Sequence, residues 1–63
     1  MPRSYRMPSL DRASYLASIL QGAEIHAYAA VRSSEPLLLV ACDRRDLDDA
    51  IRCMEPQAQP VLS

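Results

Sequence analysis

The chain has a single glycine in 63 residues. This excludes the phosphate-cradling loops, because both G-x-G-x-x-G and the Walker motif need several glycines to bring backbone amides against a phosphate. Lysine is absent, so all seven basic residues are arginines, set against eight acids for a formal net charge of −1. Such a balance lacks the basic excess of a general nucleic-acid binder. There are two cysteines, too few for the disulfide frameworks of small secreted domains, and they stand eleven apart with one distant histidine, which matches no zinc spacing. No charged start followed by an apolar stretch reads as a signal peptide, and the longest run without a polar residue, Pro36 to Cys42, is far below the ~20 residues of a membrane span. A cytoplasmic protein with reduced thiols is the expectation. No serine lies in a G-x-S-x-G turn, and no metal, cofactor or catalytic set is indicated.

What is present reads as one small folded domain over residues 1–63, with 49% apolar and 24% charged residues. A core of this size is worth roughly 3–5 kcal/mol. Residues 1–8 hold two prolines and two arginines and are expected to form an arm or edge strand. Ser9 is placed as an N-cap, Asp11 in the first turn, and Gly22 as the stop of a helix whose stripe is Leu10, Ala13, Leu16, Ala17 and Leu20. Tyr15 and Ile19, four apart, fall off that stripe.

From Glu24 to Arg32 the period drops to two, with Ile25, Ala27, Ala29 and Val31 on the apolar side. Pro36 to Cys42 is a continuous apolar run of strand length, and a four-residue loop over Ser33–Pro36 would join the two as a hairpin. That register sets Arg32 against Leu37, Ala30 against Leu39 and Tyr28 against Ala41, and turns His26 and Cys42 to opposite faces, against a Cys–His nucleophilic pair. Asp43 reads as the N-cap of a second helix with the stripe Leu47, Ala50, Ile51 and Met54, ended by Pro56. Cys53 lies on that helix's flank. Residues 57–63 are a tail or edge strand. The fold class is therefore α+β, a hairpin packed by two helices in the order α-β-β-α. Strands at both ends would extend it to the ferredoxin-like β-α-β-β-α-β plan.

Two surfaces stand out. Around the second helix, Asp43, Asp46, Asp48, Asp49 and Glu55 outnumber Arg44, Arg45 and Arg52. On the helical wheel Asp48 and Asp49 fall opposite the apolar stripe, so both are expected to be dispensable for the core. On the sheet, Tyr28, Ala30, Leu37, Leu39 and Ala41 face away from the helices, an apolar surplus that something should cover: the chain's own ends, a second copy or another protein. Tyr15 and Ile19 add an off-stripe pair suited to an interface. Asp46, Asp48, Asp49, Glu55, Tyr15, Ile19, Tyr28, Leu37 and Leu39 are thus the candidate partner-binding residues.

Removal of Met1 would expose Pro2, and in this one respect the chain resembles the small tautomerases, whose N-terminal proline acts as a base at the start of a core strand. Arg3-Ser4-Tyr5-Arg6 reads instead as a polar segment interrupted by Pro8, which argues against that enzyme. In size, build and surface character the chain resembles the small phage-encoded anti-CRISPR and anti-defence inhibitors. That resemblance implies a protein-binding inhibitor occluding a nuclease, or a nucleic-acid-binding effector with a basic groove, without direct nucleic-acid or membrane contact. The alternative is a homo-oligomeric regulatory or accessory module, antitoxin-like or an adaptor.

Overall fold

Alternation of Tyr5 and Met7 with Ser4 and Arg6 is enough to make the N-terminal segment a strand, because both large side chains find a core to enter. In the computed structural model, which describes residues 3–42 and 46–61, the elements are β1 (Arg3–Arg6), α1 (Leu10–Gly22), β2 (Ala27–Arg32), β3 (Glu35–Val40), α2 (Asp46–Met54) and β4 (Gln59–Pro60). They form an antiparallel sheet in the order β2-β3-β1-β4, the ferredoxin-like arrangement. The segment expected as an N-terminal arm or edge strand is therefore a central strand. It pairs with β3 from Arg3 opposite Val40 to Arg6 opposite Leu37, and with β4 on its other side. Among the described residues of the tail, Gln59 and Pro60 form β4.

One sheet face carries both helices. The core between them is Tyr5, Met7, Ala13, Leu16, Ala17, Leu20, Ala27, Leu38, Val40, Leu47, Ile51 and Ala58, with Ile25, Ala29, Cys42 and Met54 packed against it. Leu10 and Ala50, expected in the helical stripes, are exposed. Leu10 is the first residue of α1, and α2 is short enough that Leu47 and Ile51 alone carry its buried stripe. Val31 has the inward parity expected, yet it stands beside the hairpin turn, past the cover of the helices, and is exposed.

The caps are built with few glycines. Ser9 Oγ accepts the Arg12 amide at 3.2 Å, as an N-cap should. At the other end of α1 the amides of Glu24 and Ile25 donate to the carbonyls of Gln21 and Leu20, both at 3.0 Å. That pattern is a Schellman motif, and its left-handed position falls on Glu24 at φ 63° rather than on Gly22. Ser33 and Ser34 likewise take φ 53° and 65°, which is a two-residue type I′ turn. This tight turn replaces the four-residue loop and moves the pairing by two, so Arg32 meets Glu35, Ala30 meets Leu37 and Tyr28 meets Leu39. An even shift leaves every residue on its expected face. A β-carbon is strained at φ near +60°, so Glu24→Gly should raise stability by about 0.5–1 kcal/mol, or several degrees in Tm. An unchanged or lowered melting temperature would place the cap elsewhere.

Candidate functional site

α2 presents its acids in its first turn, where Asp46, Asp48 and Asp49 meet the positive end of the helix dipole. They do not act as one outward array. Asp48 is half-buried, and its Oδ1 accepts the hydroxyl of the fully buried Tyr5 at 2.6 Å. Its Oδ2 lies 3.7 Å from Arg52 Nε one turn on. The expectation that Asp48 is dispensable is corrected by this bond, because a wheel drawn for α2 alone cannot show a tyrosine arriving from β1. Glu55 follows the helix and is 7% exposed. It accepts Arg12 Nε from α1 at 2.7 Å, which removes it from any docking surface. Asp46 and Asp49 remain exposed. Asp43, Arg44 and Arg45, including the expected N-cap, lie outside the described residues.

Burial and the Asp48 carboxylate both favour the neutral phenol and hold the Tyr5 pKa above its ordinary 10.0, against a smaller opposing pull from Arg3. The sign follows from linkage. The unfolded chain loses this proton first, so Tyr5's contribution is intact below pH 10 and is lost as pH climbs past it. Melting temperature should therefore fall more steeply above pH 10 in the parent than in Tyr5→Phe. Parallel curves for the two proteins would contradict the assignment.

The outer sheet face is less bare than its composition suggests. Leu37 is buried, flanked by Ala30 and Arg6 and by the Arg6–Glu35 ion pair at 3.2 Å. Leu39 is half-buried between Ser4 and Tyr28. The chain's own N-terminal strand supplies this cover, so the expected large wet patch shrinks to the exposed Tyr28 and Ala41. A shallow hollow at this end of the face is walled by Ser4, Arg6, Arg32 and Glu35. His26 lies on the outer face and Cys42 packs on the core, so they do not meet. Cys42 and Cys53 are free thiols, the second exposed.

On α1, Tyr15 is 56% and Ile19 40% exposed, one turn apart, as the off-stripe reading expects. The Arg12 guanidinium stands over the Tyr15 ring, 5.2 Å from its centroid. Glu55, bound to the same Arg12, thus holds the cation that positions an exposed aromatic. No pattern in the sequence links Arg12 on α1 with Glu55 just past the end of α2, so this chain of contacts is invisible there.

Arg3–Arg6, expected to be a polar segment unlike the first strand of a tautomerase, is a central strand. Pro2 itself lies outside the described residues. Among the described residues no His, Cys, Asp and Glu group could hold a metal ion, and no helix is long and apolar enough to cross a membrane. No family model matches the chain, and no curated protein or solved structure does.

Proposed function

We propose that this chain is a small cytoplasmic inhibitor of the anti-CRISPR kind, which acts by binding another protein and occluding a nucleic-acid-binding effector. Its docking surface is the outer side of α1. The observation that carries the reading is the arrangement of Tyr15: a large aromatic left in solvent yet steadied by Arg12, which Glu55 in turn anchors. An aromatic fixed before contact loses little rotamer freedom on binding, and such residues dominate interface energies. Ile19 extends the contact by one turn. Asp49, exposed on α2, supplies negative charge that would speed encounter with a basic groove.

The test is retention of a partner from an extract of the source cell by the tagged chain. The double variant Tyr15→Ala, Ile19→Ala should lose the retained protein at unchanged melting temperature, because neither side chain is in the core. Equal retention by variant and parent would contradict the reading.

A further inference from the structure

The two edges of the sheet are unlike. β4 is two residues long and contains Pro60, both of which discourage further pairing. β2 is six residues long, Ala-Tyr-Ala-Ala-Val-Arg, without proline or glycine and without a charge before Arg32. Among the described residues it ends the sheet, with no strand beyond it. Natural edges of this length are normally blunted, and this one is not.

The ladder phase fixes which backbone groups are on offer. Ala41 N–H donates to His26 O at 2.8 Å, so the residues of β2 that point their backbone groups at β3 are Tyr28, Ala30 and Arg32. Ala27, Ala29 and Val31 point theirs outward. The Ala27 carbonyl is already occupied, accepting Gln21 Nε2 at 2.6 Å. The outward groups of Ala29 and Val31 remain.

We propose that a second copy of the chain pairs its β2 antiparallel to this edge about a two-fold axis through Ala30. Such an axis stands perpendicular to the sheet and keeps all four helices on one side, so residues of like parity must face each other. Centring on Ala30 sets Ala29 against the partner's Val31 and Val31 against the partner's Ala29, the two hydrogen-bonded pairs. Ala27, already bonded to Gln21, is not needed. The same register sets Tyr28 opposite the partner's Arg32, twice over, giving a cation facing an exposed ring on the outer face. Centring on Ala29 would require the occupied Ala27 carbonyl and would oppose Arg32 to the partner's His26. The exposed Val31 side chain, which the helices of its own chain do not cover, gains a neighbour in the Ala29 of the paired copy.

This inference rests on the sheet edge and not on the α1 surface, and its readouts are of self-association alone. Sedimentation of the parent should show a monomer–dimer equilibrium. Ala30→Lys and Ala30→Glu each set like charges opposite one another and should weaken it by roughly tenfold or more. An equimolar mixture of the two should restore the dimer, since only this register brings position 30 to itself. Circular dichroism establishes that both variants fold. If either does not, amide exchange in the parent decides, with the Ala29 and Val31 amides slower at high than at low concentration. A parent that is monomeric throughout, charged variants that dimerise as the parent does, a mixture that stays monomeric, or concentration-independent exchange would each overturn the proposal. Slowed exchange at these amides only when a different protein is bound would show the edge to be a docking strand for that protein instead.

Discussion

Leu38→Ala should leave the chain largely unfolded at 37 °C, because the loss of about 3 kcal/mol expected for such a truncation is most of what a core of this size supplies. Leu38 is fully buried in β3, a central strand, between Tyr5 of β1 and Ala29 of β2. Its side chain faces the helices from the middle of the sheet, in the core it shares with Leu16 and Ile51. Leu39, its neighbour on the other face, is half-buried, and Leu39→Ala should cost about 1 kcal/mol. Urea unfolding of the two variants separates these outcomes. A Leu38→Ala protein within 1 kcal/mol of the parent would mean that the sheet's inner face is not the core.

Asp48→Arg should destabilise by about 2 kcal/mol, whereas Asp49→Arg, one residue on, should stay within about 0.5 kcal/mol. The difference is Tyr5. Its ring is buried and its hydroxyl has Asp48 as acceptor, so the substitution leaves a buried donor beside a new cation and also sets that cation against Arg52. Asp49 is exposed. Thermal unfolding of both variants reads the contrast, and equal losses would show that α2 presents both acids to solvent alike. A binding experiment that reversed both acids together would confuse loss of the fold with loss of a docking charge. Asp49 is the position at which docking through α2 can be tested cleanly.

Much of the architecture was legible from local pattern. Ser9, the Ala13–Leu16–Ala17–Leu20 stripe, the alternation of β2 and the apolar run of β3 each act within a few residues, and each forms the expected element. Failures came where distant segments decide. β1 has only four residues, two of them arginines, and becomes a central strand because β3 and β4 flank it and a core receives Tyr5 and Met7. The Ser33–Ser34 turn carries none of the Asn or Gly that usually marks a type I′ hairpin, so the sequence pattern points to a loop two residues longer than the turn that forms. Among the candidate site residues, Tyr15, Ile19, Tyr28 and Asp49 are exposed as expected, while Leu37, Asp48 and Glu55 are drawn into the fold by Arg6, Tyr5 and Arg12. Those partners lie more than thirty residues away, beyond the reach of any helical wheel.

Asp48 serves the fold, because its carboxylate holds the hydroxyl of the buried Tyr5. A double-mutant cycle on Tyr5 and Asp48 tests it most directly. Urea unfolding of Tyr5→Phe, Asp48→Asn and the double variant should give a coupling energy of about 1 kcal/mol or more, as expected for a part-buried hydrogen bond to a carboxylate. Additive losses, with coupling near zero, would return Asp48 to the solvent-facing acids.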